Sequence, residues 1–171
     1  MNMKRSFICL RQHDSIDCGL VCLSMIALNN GIGINESLLK NSYSLGKDGV
    51  SLFDISKAAE NIGFKTIAGR LSFKTLAIEV PLPCIAHWNQ NHFVVVHKIK
   101  KHRKDDYTVY VADPAKGLVT YNKEEFCEHW VSTKTNGGDK GIVLLFEATE
   151  QFFSSKKAET VPAKDRLSFL W

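Results

Sequence analysis

Gln12-His13-Asp14-Ser15-Ile16-Asp17-Cys18-Gly19-Leu20-Val21-Cys22-Leu23-Ser24-Met25-Ile26-Ala27-Leu28-Asn29-Asn30-Gly31 is the stretch that decides the fold. From Leu20 to Leu28 only Ser24 is polar. A helix apolar on every side is an interior one, because a surface helix keeps a single apolar stripe. The beginning of the stretch differs, with Asp14, Ser15 and Asp17 available to cap the first turn. Cys18 therefore stands where an interior helix leaves the core, at its positive end. Backbone N–H groups and the helix dipole favour a thiolate there, so the thiol is expected below its free value of about 8.5. That position suits a nucleophile; the alternative is a buried structural cysteine.

Working outward, Gly31 and Gly33 close this helix. Residues 35–40 read as a short second helix capped by Asn35, and a turn through Gly46 and Gly49 follows. Ser51 caps a helix from Leu52 to Asn61, with Leu52, Ile55, Ala58, Ala59 and Ile62 at helical spacing, and Gly63 ends it. Then the period changes. Phe64 to Leu71 alternates as a strand, a short helical piece spans Phe73 to Ile78, and Pro81 and Pro83 break the chain. Cys84 to Trp88 reads as a buried strand. His92 to Ile99 and Tyr107 to Ala112 are strongly β-forming, with the polar segment Lys100 to Asp106 as a hairpin loop between them. Leu118 to Tyr121 pairs next as an edge, Lys123 to Val131 is a short amphipathic helix, and Gly141 to Glu147 is the last strand. Helices first and antiparallel strands afterwards make an α+β layout.

The 171 residues fit one domain with a sizeable core, placed at residues 1–149. Residues 150–171, with Ser154, Ser155, Lys156 and Lys157 and a final amphipathic fragment from Arg166 to Trp171, read as a linker or tail. Hydrophobic residues at 44% and charged residues at 23% are ordinary globular values. The net charge of +4 is spread out except in Lys98 to Lys104. That run carries no aromatic platform and reads as a solvated hairpin end, not as a nucleic-acid surface. The five cysteines, Cys9, Cys18, Cys22, Cys84 and Cys127, show neither a disulfide framework nor zinc-ligand spacing. Phe7 to Leu10 is too short for a signal peptide, and Ile142 to Phe146 cannot span a bilayer. The chain reads as soluble, cytosolic and reduced.

A cysteine nucleophile needs a base within hydrogen-bond reach and a group that holds the base's tautomer. Of six histidines, His92 is the best placed, opening a strand after the polar turn Asn89-Gln90-Asn91. His87, beside Trp88, is the serious rival. His97 falls on the opposite strand face from His92, His102 in the charged segment, His129 on a late helix, and His13 close to Cys18 in sequence. Asp113 ends the strand that pairs with His92's strand, and antiparallel pairing brings the two together; the bland reading is an Asp-Pro strand terminator. Gln12 is placed to lend its amide to an oxyanion alongside the Cys18 N–H, or is simply solvated. Gly19 either lets a substrate backbone approach or eases packing. Cys22 lies one turn after Cys18 and reads as core packing.

With Gln12, Cys18, His92 and Asp113 assembled, the sequence resembles the C39 peptidases, the papain-like domains of bacterial ABC transporters that export bacteriocins and related peptides. The motifs that carry the resemblance are Gln12 with Asp17-Cys18-Gly19, then Asn91-His92-Phe93-Val94-Val95-Val96, then Ala112-Asp113-Pro114-Ala115-Lys116-Gly117. It runs from about Arg11 to Phe146. The resemblance implies a cysteine peptidase with Cys18 as nucleophile, His92 as base, Asp113 as its orienter and Gln12 as oxyanion donor. Its substrate would be a precursor peptide, cut after a Gly-Gly or Gly-Ala pair that closes the leader. It implies neither metal nor cofactor, and as partners it implies the membrane and ATP-binding portions of a transporter at the cytoplasmic face of the cell membrane. Trp88 and Asn89, just before His92, are candidate walls of a narrow glycine slot beside Cys18, with Trp88 equally readable as a core residue. Two other readings stay open: a silent C39-like domain that only binds the transport substrate, and another papain-like amidase or peptidase using the same triad.

Overall fold

The computed structural model describes residues 6–13, 18–34 and 49–150. Among the described residues four helices, α1 (Cys18–Asn29), α2 (Leu52–Asn61), α3 (Phe73–Ile78) and α4 (Lys123–Trp130), accompany seven strands. These are β1 (Phe64–Leu71), β2 (Cys84–Trp88), β3 (His92–Arg103), β4 (Asp106–Asp113), β5 (Gly117–Asn122), β6 (Val131–Thr135) and β7 (Gly138–Ala148). The sheet is antiparallel throughout, in the order β1-β7-β2-β3-β4-β5, with β6 on β7. β7 returns from the end of the chain to lie between β1 and β2, so β1 joins the rest of the sheet by long-range pairing.

Alternation along the strands splits the apolar residues between two cores. Ile85, Phe93, Val95, Ala112 and Leu144 pack with α1 and α2 on one face. Cys84, Ala86, Trp88, Val94, Val96, Val109, Val111 and Val143 pack with Phe73 and Leu76 of α3 and Phe126 and Trp130 of α4 on the other. The helices therefore cover both faces of the sheet, with the two N-terminal ones on the first. α1 is interior as its composition requires: every residue from Cys18 to Ala27 is buried. Leu23, Met25 and Ile26 are wholly enclosed, each stabilising the fold by roughly 1.5–3 kcal/mol relative to an exposed position. The helix ends as expected. Gly31 takes φ 92, its N–H bonds Leu28 O at 2.9 Å, and the N–H of Ile32 bonds Ala27 O at 2.9 Å, a Schellman closure with the buried Ile32 as its apolar contact. Ser51 and Asp54 form the capping box of α2, and Asn122 and Glu125 that of α4.

Three readings change. The segment from Lys100 to Asp106 is mostly strand: β3 and β4 extend into it, and only Lys104 and Asp105, the latter at φ 63, form the turn. Charged residues pair as readily as apolar ones where both strand faces meet solvent, and here Lys98 and Lys101 lie over the rings of Tyr110 and Tyr107. The late helix stops at Trp130, and Val131 opens β6, a strand whose Ser132-Thr133-Lys134-Thr135 has no apolar alternation to announce it. β7 begins at Gly138, three residues before the expected start. The caps Asp14, Ser15 and Asp17, the helix at 35–40, Gly46 and the tail 151–171 lie outside the described residues.

Candidate active site

Three element ends converge: the first residue of α1, the first of β3 and the last of β4. His92 Nε2 donates to Asp113 Oδ1 at 2.8 Å, and the Cys18 thiol interacts with the same ring. With Nε2 committed to the carboxylate, Nδ1 is the nitrogen left for the thiol. The side chains of His92 and Asp113 are 18% and 3% exposed, so this pairing is only lightly screened by water. Burial alone would pull the imidazolium's pKa down. The hydrogen bonds to Asp113 and Cys18 and the charges of both outweigh it, and the pKa stands raised to about 9. For Asp113 burial opposes ionisation, but the bonds from His92 and the Ala115 N–H, with the charges of His92 and Lys116, hold it below its ordinary value.

The carboxylate is fixed by its own turn. Asp113 Oδ1 also accepts from the Ala115 N–H at 2.8 Å, and the Lys116 N–H bonds Asp113 O at 3.1 Å. Gly117, at φ 94, completes the turn in a conformation that disfavours a side chain. Against this turn lies the N-terminal strap of residues 6–13. The Gln12 N–H bonds Pro114 O at 2.8 Å. The Arg11 guanidinium forks onto Ala115 O at 2.8 Å and Lys116 O at 3.1 Å. The Gln12 amide turns inward, its Oε1 buried and without a hydrogen-bond partner. Asn29, at the end of α1, holds the strap further back through paired bonds of 2.9 Å with the N–H and carbonyl of Ile8.

Cys18, His92 and Asp113 are thus brought to one place, and the backbone of Gln12 is bonded to the turn that follows Asp113. A thiol, an imidazole and a buried carboxylate in series is the arrangement nucleophilic acyl transfer uses. The rival His87 lies instead against Phe93, ring centroids 5.2 Å apart, with its pKa lowered by burial. The three residues expected to line a glycine slot do something else. Trp88 is 2% exposed and packs in the second core against Phe126, Tyr121 and His129, so its ring offers no wall to a ligand. Asn89 is an exposed turn residue at φ 50, tied to His129 by its N–H at 2.9 Å and its Oδ1 at 2.8 Å. Gly19 is buried, and a Cβ there would meet Ile55 Cδ1 at 2.6 Å; its smallness serves the contact between α1 and α2. Among the described residues no group of three or more His, Cys, Asp or Glu side chains is placed to hold a metal ion.

Arg11 and Asn29 were missed by sequence reasoning. The partners of Arg11 are more than a hundred residues away, so no local pattern marks it. For Asn29 the signal, a polar residue ending an interior helix, was present but unspecific.

The profile of the Peptidase C39 family matches residues 6–135. The chain is 32% identical over 164 residues to the lactococcin-G-processing and transport ATP-binding protein LagD of Lactococcus lactis, covering 93% of this chain and 20% of that protein. It is 33% identical over 121 residues to the colicin V secretion/processing ATP-binding protein CvaB of Escherichia coli, covering 71% of this chain and 16% of that protein. The chain therefore spans about a fifth of the length of these relatives. A double glycine motif protease from an AMS/PCAT transporter, solved with its leader peptide, superposes with a TM-score of 0.65 at 30% identity, over 83% of this chain and 91% of that one. The peptidase domain of Streptococcus ComA shares the fold at a TM-score of 0.66 and 20% identity, over 84% of this chain and 100% of that one. This α+β, papain-like chain belongs to the Peptidase C39 family.

Proposed function

We propose that this chain is the leader-removing endopeptidase portion of a peptide exporter, cutting a bacteriocin-type precursor after a Gly-Gly or Gly-Ala pair. The observation that carries the reading is His92 held between the Cys18 thiol and Asp113. Two similarities give the substrate class: a related protease named for the double-glycine motif binds a leader peptide, and the longer relatives are processing and transport proteins. In the full protein, residues 150–171 lead toward membrane and ATP-binding portions, and the peptidase sits at the cytoplasmic face of the cell membrane. Among the described residues no helix is long and apolar enough to cross a membrane.

His92 Nδ1 holds the Cys18 proton as an imidazolium, and the thiolate sulfur adds to the carbonyl carbon of the second glycine. The developing oxyanion is met by the Cys18 N–H and the Gln12 amide, donors that need no reorganisation at the moment of reaction. The imidazolium, steadied by Asp113, protonates the leaving amine as the C–N bond breaks. A water deprotonated by His92 then hydrolyses the thioester, releasing the leader and restoring the thiol.

Mass spectrometry of a synthetic precursor peptide with a Gly-Gly leader, incubated with the wild type and with Cys18→Ala, tests this. The wild type should yield leader and product, and Cys18→Ala should bind without cutting. Cleavage by Cys18→Ala would refute the nucleophile, and equal binding with no cleavage by the wild type would favour a silent binding domain. Enlarging either glycine should reduce turnover more than binding, since the leader supplies affinity elsewhere; indifference to the glycines would favour a different amidase.

A further inference from the structure

The strap that carries Gln12 has no regular secondary structure, yet an oxyanion donor must be held within a fraction of an ångström to be useful. What holds it is visible at two points. Behind, Phe7 stacks on His97 with ring centroids 4.4 Å apart, and Asn29 brackets Ile8. At the site, besides the Gln12 N–H to Pro114 O, the fastening is the Arg11 fork onto Ala115 O and Lys116 O. The turn it grips is independently bonded, through Asp113 Oδ1 to the Ala115 N–H and the Lys116 N–H to Asp113 O. Loss of the fork would therefore loosen the strap at the site and leave the turn standing.

We propose that Arg11 is a positioning residue that sets the Gln12 amide over Cys18 by clamping the strap to the turn after β4. Two parallel N–H bonds fix the direction of a planar guanidinium as well as its distance, which a lysine's single point charge does not. Among the described residues the Arg11 guanidinium bonds Lys116 O and Ala115 O and neither His92 nor the thiol, so it acts on the amide and leaves the triad alone. The neighbouring Gly117 is part of the same fit: a Cβ there would stand 3.3 Å from Arg11 Nη1.

The inference rests on Gln12 serving as the oxyanion donor, and its test separates the two. Steady-state kinetics would be measured on the Gly-Gly precursor peptide and on p-nitrophenyl acetate, an ester that a reactive cysteine site accepts without leader recognition. Arg11→Ala should lower kcat on both by about 10- to 100-fold, with the peptide KM within about twofold, because a misplaced donor costs turnover and not leader affinity. Arg11→Lys should recover part of the loss. In a Gln12→Ala background the same substitution should cost less than about threefold, the non-additivity of two residues acting through one group. Thermal unfolding checks that the variant is folded. Wild-type kcat in Arg11→Ala, or full additivity with Gln12→Ala, overturns the inference. If the wild type turns over the ester but not the peptide, the substrate reading fails and Arg11 is still judged on the ester. If the wild type is silent on both, the inference falls together with the nucleophile.

Discussion

Asp113→Asn probes the electrostatics of the site more sharply than removal of the thiol, because it changes a charge and keeps a shape. The His92 pKa is raised from 6.5 to about 9 despite a burial that opposes it. A shift of that size corresponds to about 3 kcal/mol in favour of the imidazolium, so the interactions with Asp113 and Cys18 together supply more than that. Asparagine retains an oxygen for the Nε2–H and loses the charge. A hydrogen bond to a charged partner is worth about 1.5–3 kcal/mol and a neutral one about 0.5–1.5, so the substitution should remove about 1–1.5 kcal/mol, close to tenfold. The assay is kcat/KM for peptide cleavage against pH. Protonation of the leaving amine requires the imidazolium, so the wild type should lose activity as pH rises through about 9. In Asp113→Asn that limb should move down by about one pH unit, with a loss of about tenfold at neutral pH. Stability should follow the same sign: a pKa raised on folding contributes below about 6.5 and loses its contribution as pH rises through 9. The variant's melting temperature should accordingly fall less over that window. An alkaline limb that stays near 9 in the variant would refute the assignment of Asp113 as the group that holds His92.

Other consequences are independent of the chemistry. Gly141→Ala places a Cβ 2.2–2.6 Å from the ring of Trp130, which is 1% exposed and cannot yield; the midpoint of urea unfolding should drop by the equivalent of about 3 kcal/mol. Gly19→Ala should cost about 1–3 kcal/mol through Ile55 while leaving leader affinity by calorimetry unchanged, and a selective loss of binding would restore the substrate contact denied to Gly19 above. His97, stacked on Phe7, has its pKa lowered to about 4 by burial and by Lys98. The unfolded chain therefore binds the proton first, and stability present above about 6.5 is lost as pH falls toward 4. His97→Phe should flatten that acid limb in chemical denaturation, and an unchanged limb would place its origin elsewhere.

How much of this was legible follows from the range of each interaction. Local patterns were sufficient for α1, α2 and α3 and for β1 and β2, because caps, glycines and apolar period all lie within the segment. They were insufficient for β6, whose identity comes from pairing with β7, and for the hairpin between β3 and β4, where charge was taken for a loop. The same division holds at the site. Cys18, His92 and Asp113 each end a regular element, so their convergence followed from the pairing of two strands against one interior helix. Nearness to His92 in the sequence does not decide where Trp88 and Asn89 point: the indole packs in the second core and the Asn89 amide bonds His129.

The two kinds of anchoring lead to a physical asymmetry within the site. His92 and Asp113 are borne by neighbouring strands of the sheet, and Cys18 by a helix that is buried along most of its length. Their mutual distances can change only if a core is opened, which involves many buried side chains at once. Gln12 has less support, because Phe7, Cys9 and Leu10 of its segment pack on the first core only half-buried. Its segment is fastened to the rest of the site by a few hydrogen bonds, those of Arg11 among exposed groups, and each such bond is worth about 1 kcal/mol. The thermodynamically weakest part of the constellation is therefore the part that meets the oxyanion, and segments of low local stability are where motion is concentrated. Hydrogen exchange should show it: the Gln12 N–H should exchange far faster than the amides of Val94 and Val95, and faster again in Arg11→Ala, while the β3 amides keep their wild-type protection. Equal protection along strap and strand would mean that the strap is held by the core after all.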